Sequence, residues 1–295
     1  YTFEAITSQD TLEFIVKEGR DPKIEGDISN DTSFYRLIPR YQKKISEKLN
    51  FDVSLGYGKD NIKFQVSDRY FDLLNYNFSQ IAELTYDSSA KMTTIFGLDS
   101  QYRDFRVQIK LPDFNSQGGV FTPGGTETIS DIKGDYWESA FYIRNTYKYS
   151  DKLTFSPNLR FEYFSRINDV FLMPRLNSTY AISNSLDWNF STGTYYQAPK
   201  NGEPSKERGN PNLSAEMAIH VYTSLVKDYR KGSNVGLILD SGLFYKKLDD
   251  LIIQTNDLKN DGTPLRYTND GEGYVCGGQI QGNYKLDPFT FLASY

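Results

Sequence analysis

The 295-residue chain carries 33 basic and 38 acidic residues for a formal net charge of −5, and 38% of it is hydrophobic. A single cysteine, Cys276, excludes an internal disulfide and a cysteine-rich metal site, and a single histidine, His220, argues against zinc centres and histidine-based catalytic triads. No basic run or stripe suggests a nucleic-acid surface, and no apolar stretch is long enough for a membrane helix.

Taken in chain order, two-residue alternation of apolar and polar side chains predicts thirteen strands. They fall near 10–18, 32–44, 48–58, 72–86, 90–111, 135–149, 152–166, 170–182, 185–197, 214–230, 234–254, 272–285 and 289–295. From Trp137 to Tyr149, one face carries Trp137, Ser139, Phe141, Ile143, Tyr147 and Tyr149. The other carries Glu138, Tyr142, Arg144, Thr146 and Lys148. After Ser150-Asp151-Lys152 the pattern resumes, with Leu153, Phe155, Leu159, Phe161 and Tyr163 against Thr154, Ser156, Asn158, Arg160 and Glu162. Successive strand side chains point to opposite sides, so each segment has one greasy and one polar face.

The mean hydropathy of −0.57 would suit a water-soluble protein. The 23 tyrosines and 20 phenylalanines argue otherwise, because a transmembrane barrel hides its lipid-facing residues in alternation and keeps its average low. Tight polar turns at 46–47, 87–89, 150–152, 183–184, 231–233 and 286–288 alternate with longer connections at 19–31, 59–71, 112–134, 198–213 and 255–271. Outer-membrane barrels have short periplasmic turns and long extracellular loops, so the alternation gives each connection a side; the brief 166–170 is the exception. Strands such as Lys91 to Leu111 exceed what a tilted strand needs to cross a bilayer. The fold class expected is all-β, a transmembrane antiparallel up-and-down β-barrel. An odd strand number and a last segment that stops at Tyr295 as a strand develops predict that residues 1–295 are an incomplete piece of a larger barrel; no leader is seen before Tyr1, so it was either removed or the stretch is internal.

From Phe171 onward, four elements in order, the first of them made of two strands, resemble the barrel of TonB-dependent outer-membrane receptors. Phe171 to Ile182 reads FLMPRLNSTYAI and Leu186 to Pro199 reads LDWNFSTGTYYQAP, similar to that family's Pro-Arg strand, tight turn and strand ending in an aromatic before Pro. Gly209 to Glu216, GNPNLSAE, is similar to its NPxL segment; Leu243 to Ile253 and Tyr267 to Gln279 resemble its FY…DLI and YxNxG segments. Ser214-Ala215 stand where Lys-Pro is usual, and Gln279 where Glu is usual. The resemblance implies a barrel of about 22 strands around a plug, with the plug, TonB box and terminal strands outside this stretch. It implies a Gram-negative outer-membrane receptor that takes up a scarce nutrient, a ferric siderophore by base rate, driven by the TonB complex. The expected partners are that complex, the small-molecule ligand and outer-membrane lipid, with no nucleic acid. A passive porin-like or structural barrel is the alternative, and a soluble β-rich binding or glycoside-active domain a third reading.

No catalytic residue, cofactor or metal site is expected, because the only histidine lacks a recognisable catalytic neighbour. Candidate ligand-facing loop residues are Phe114 and Phe121, aromatics in a Gly-rich loop, and Arg208 and Asn210. His220 is placed on a polar strand face with Glu216, Tyr222 and Ser224, where hydrogen bonding to a plug or to water is favoured over ligating a metal, and haem is disfavoured because no histidine lies between Pro199 and Asn210. Arg144, Arg160, Arg175, Glu138 and Glu162 are read as polar-face charges that pair across strands or contact a plug or substrate. The glycines at 271, 273, 277 and 278 are expected at a bend or bulge.

Overall fold

The structure, a computed structural model, describes residues 1–16, 26–66, 69–112, 127–200, 202–204, 209–230, 232, 234–258, 262 and 264–295. Among them the chain forms thirteen strands and no helix: β1 (Thr2–Val16), β2 (Gly26–Ser46), β3 (Leu49–Val66), β4 (Arg69–Ser89), β5 (Met92–Pro112), β6 (Glu127–Lys148), β7 (Leu153–Phe164), β8 (Asp169–Ser183), β9 (Leu186–Gln197), β10 (Glu216–Asp228), β11 (Gly236–Leu258), β12 (Pro264–Leu286) and β13 (Phe289–Ser294). They pair in sequence order as one antiparallel up-and-down sheet of 13 strands, left unclosed with β1 and β13 at its edges. The expected class and the expected number of strands are both observed.

Strand length is the main correction. The stretches 19–31, 59–71, 112–134 and 255–271 were expected as loops, yet β2 begins at Gly26, β3 runs on to Val66, β4 begins at Arg69, β6 begins at Glu127, β11 runs on to Leu258 and β12 begins at Pro264. The start of β2, Gly26 to Asp31, is largely polar, whereas the end of β3 alternates Ile62, Phe64 and Val66 with Asn61, Lys63 and Gln65 and could have been read as strand.

The tight-turn end is regular. Asp87 N donates to Lys48 O at 2.8 Å, Lys148 N to Lys91 O at 2.8 Å, Ala181 N to Lys152 O at 2.7 Å and Asp228 N to Ser185 O at 2.9 Å, tying each turn to the following strand pair.

The chain divides into two compact units, one of Tyr1–Lys43, Asp52–Ala82 and Asp99–Glu138, the other of Lys44–Phe51, Glu83–Leu98 and Ser139–Tyr295. In the second unit, the small buried cluster of Phe164, Met173, Ala198 and Ala215, with Phe171 and Tyr196 packed on it, sits where β7 to β10 meet the long connections. Also there, β11 and β12 shift register between Leu248 and Leu251, opposite Gly273 and Gly271, which is the bulge those glycines were expected to mark. Gly277 instead makes room for an aromatic ring, since a Cβ there would stand 2.7 Å from the Phe244 ring that lies across it.

Candidate functional site

The second unit's registers assign each side chain a face. Phe161 opposes Leu172 and Leu159 opposes Pro174. Trp188 opposes Tyr180 on one side and Leu225 on the other, and Val221 opposes Tyr245. On this apolar face Leu159, Phe161, Leu172, Trp188, Leu225 and Tyr245 are 42% to 47% exposed. On the alternate positions, Arg160 and Glu162 form an ion pair at 2.7 Å with side chains only 18% and 16% exposed. Charges more sheltered than greasy side chains are the reverse of a water-soluble surface. The Trp188 indole keeps its one donor occupied within the apolar face, giving it to Thr223 Oγ1 at 2.8 Å, as an apolar solvent requires.

The polar face of this unit is networked. Tyr142 Oη donates to Glu83 Oε1 at 2.6 Å, and Arg144 reaches the same oxygen at 3.4 Å. The Tyr142 ring lies across Gly97, whose missing Cβ would fall inside it, and the Arg160 guanidinium stands 5.8 Å over that ring. His220 shares this face with Tyr222 and the buried Ser224, as the alternation predicts, and its ring centre is 4.5 Å from that of Tyr195. No cluster of three or more metal-ligating side chains exists among the described residues.

The first unit has a polar cavity of about 300 Å³ lined by Arg36, Gly58, Asp60, Asn75, Asn77 and Arg103, among others. Asp60 organises it. Its Oδ1 accepts from Arg36 at 2.5 Å, and its Oδ2 accepts from Asn75 at 3.1 Å and Asn77 at 2.8 Å. Arg103 donates to Tyr136 Oη at 3.1 Å, while its Nε is buried with no hydrogen-bond partner among the described residues. Sequence reasoning missed this site because Asp60 falls in a stretch read as a loop; the Asn75/Asn77 alternation was the available signal. At the end of this unit far from the tight turns, Arg106 binds Asp131 through two bonds of 2.9 and 2.7 Å. That hydrogen-bonded guanidinium holds the Asp131 carboxyl below the usual carboxylate range, and Asp131 in turn raises Arg106.

Of the four candidate ligand-facing positions, Phe114, Phe121 and Arg208 lie outside the described residues. Asn210 is buried. Its amide donates to Tyr267 O at 2.9 Å and accepts from Asn212 N at 3.0 Å, fastening the approach to β10 onto β12. Asn269 completes the fastening: it accepts from Ser214 N at 2.9 Å and donates to Ser214 O at 3.2 Å and Asp250 O at 2.8 Å. These are the NPxL and YxN segments, joined by side-chain amides to backbone.

Residues 18–295 match the family model described as TonB dependent receptor-like, beta-barrel. The chain belongs to that family. TonB-dependent receptors are outer-membrane transporters and receptors, and this chain is an outer-membrane protein. Among solved structures, the siderophore receptor PiuA from Acinetobacter baumannii superposes with a TM-score of 0.65 at 13% identity, over 90% of this chain and 47% of its own. The RagAB peptide transporter gives 0.62 at 14% identity, over 90% and 36%, and the copper transporter OprC 0.60 at 11% identity, over 91% and 46%. The chain thus spans less than half the length of each. Such identities speak for the shared fold and leave the cargo open.

Proposed function

We propose that this chain is wall of a TonB-dependent receptor that imports a scarce nutrient, with a ferric siderophore as the first candidate cargo. The observation that carries the reading is the β7 inversion: Leu159 and Phe161 exposed, Arg160 and Glu162 paired and sheltered between them. Lipid covers the first pair, and the second faces an interior that a plug of the same protein occupies. The strand ends and long connections on the far side from the tight turns then meet the ligand, and the TonB complex drives its release inward. The likeness to siderophore receptors supports an iron cargo, while the likeness to a peptide and a copper transporter supplies the competing cargoes to test.

The test is uptake by whole cells carrying or lacking the gene, with TonB present or deleted, offered a radiolabelled ferric siderophore, a labelled peptide pool or copper. Accumulation of label that needs both the gene and TonB supports the proposal, and the substrate that accumulates names the cargo. Gene-dependent accumulation that persists without TonB would establish the porin-like reading instead.

A further inference from the structure

One row of the second unit's polar face collects positive charge without an answering acid. Arg175 of β8 opposes Gly193 of β9, Gly193 opposes His220 of β10, and His220 opposes Lys246 of β11. Residues opposite one another in a ladder point to the same side, so Arg175, His220 and Lys246 lie at one level across four strands. At about 4.8 Å between strands the row is roughly 14 Å wide.

Its middle is built to hold Arg175 still. A Cβ on Gly193 would stand 2.8 Å from Arg175 Cγ, so glycine is what lets that side chain lie across β9. The guanidinium carbon then rests 4.3 Å from the Tyr195 ring centre, and the His220 ring follows 4.5 Å beyond. Stacking fixes the plane of the guanidinium and leaves its edge to hydrogen-bond in plane.

That edge is poorly used. Among the described residues the one hydrogen bond of Arg175 is to the soft Sδ of Met173 at 3.5 Å, and its Nε is buried with no hydrogen-bond partner. None of Arg175, His220 and Lys246 forms an ion pair among the described residues. The contrast lies next door: Arg160 has Glu162, and Lys247, on the opposite face from Lys246, has Asp249 at 2.9 Å. A guanidinium donor sheltered from water and left without an acceptor is costly, and a carboxylate is the acceptor whose two oxygens match an arginine fork.

We infer that the Arg175–Tyr195–His220–Lys246 row is a seat for a carboxylate group, gripped by the Arg175 fork and balanced by Lys246. The carboxylate comes either from a small anionic ligand or from an acidic side chain elsewhere in the full-length protein. The inference rests on the proposed polar interior but not on the identity of the cargo or on energy coupling.

The experiment uses the full-length protein in detergent micelles, with citrate as the small-molecule probe. Calorimetry measures citrate binding to the wild type, Arg175→Gln and Lys246→Gln. In parallel, a carbodiimide joins any lysine amine to a carboxylate in contact with it, and mass spectrometry maps the amides; Lys247 with Asp249 serves as the internal positive control. If the seat takes a ligand, citrate binds and Arg175→Gln weakens it by about tenfold or more. If it takes a side chain, Lys246 is coupled to another peptide of the same protein in wild type, and Arg175→Gln reduces that product. Lys247 coupled while Lys246 is not, with citrate binding absent or equal in all three proteins, overturns the inference. Either result is independent of the uptake assay: transport can fail while the seat binds, and the seat can fail while transport proceeds.

Discussion

Replacing Gly97 by alanine tests how the polar face is packed. The added methyl falls inside the Tyr142 ring, so the ring must lift, and lifting it draws Tyr142 Oη from Glu83 and disturbs the ring under Arg160. Overpacking of this kind costs about 1–3 kcal/mol, and a hydrogen bond to a charged group is worth about 1.5–3 kcal/mol. Water recovers part of the second term because the pair is only partly buried. Alanine also gains roughly 0.5–1 kcal/mol over glycine by lowering the entropy of the unfolded chain. The net loss expected for Gly97→Ala is about 2 kcal/mol.

The double-mutant cycle makes the reasoning refutable. In a Tyr142→Ala background no ring opposes the methyl, so Gly97→Ala should there be neutral or slightly stabilising. A coupling of about 2 kcal/mol is expected between two residues in direct contact. The assay is urea unfolding of the full-length protein in lipid vesicles, followed by tryptophan fluorescence. Equal costs for Gly97→Ala in both backgrounds would mean that the ring does not need the glycine.

On the apolar face, Leu159→Arg should cost about 2–4 kcal/mol in vesicles, whereas Asn177→Arg on the polar face should stay within about 1 kcal/mol; comparable costs would contradict the face assignment. Spin labels at Phe141, Phe161 and Ile219 should respond to a lipid-soluble quencher, and labels at Arg160 and Tyr222 should not. Asn269→Ala removes three hydrogen bonds at the approach to β10. It should speed amide exchange at 213–217 by about tenfold or more while leaving β7 unchanged. At the tight-turn end, Arg230 binds Asp228 through side chain and backbone and lowers its carboxyl to about 2. A depressed carboxylate stabilises fully above its unfolded value near about 4 and loses that contribution as pH falls through about 2. Carboxyl NMR should show this midpoint, and Arg230→Gln should return it toward the ordinary aspartate value.

What the sequence made legible was whatever a strand displays by itself. The parity of Phe161 against Arg160, or of Ile219 against His220, can be read from one segment, and the structure keeps both assignments. So can the tight turns, because Ser150-Asp151-Lys152 interrupts the alternation on both sides. Register is different, since it depends on the lengths of the intervening connections. Nothing local brings Arg175 level with His220 and Lys246, or Asp60 level with Arg36 and Asn75. The extended strand ends differ among themselves: Gly26 to Asp31 of β2 shows no apolar face, whereas Ile62, Phe64 and Val66 at the end of β3 do show one. Asn210 was expected as a ligand-facing loop residue because nothing local shows that its buried amide bonds to Tyr267, which is remote in sequence.

The polar-face residues separate into two classes by how completely their hydrogen bonds are used. Asp60 of the first unit accepts from Arg36, Asn75 and Asn77, so its charge is already answered and it contributes rigidity more than affinity. Arg175 keeps a buried Nε without an acceptor among the described residues, and Lys246 forms no ion pair among them, so an arriving carboxylate gains contacts with both. Substitutions in the two classes should therefore register in different experiments. Asp60→Asn should lower the unfolding free energy by about 1–2 kcal/mol, between the values for exposed and buried pairs, and leave carboxylate binding within about twofold. Lys246→Gln should change stability by no more than about 0.5 kcal/mol and weaken the carboxylate contact. Should Lys246→Gln instead unfold the protein as readily as Asp60→Asn while sparing binding, the row would be a structural strut, and unsatisfied donors on this face would not mark where a ligand sits.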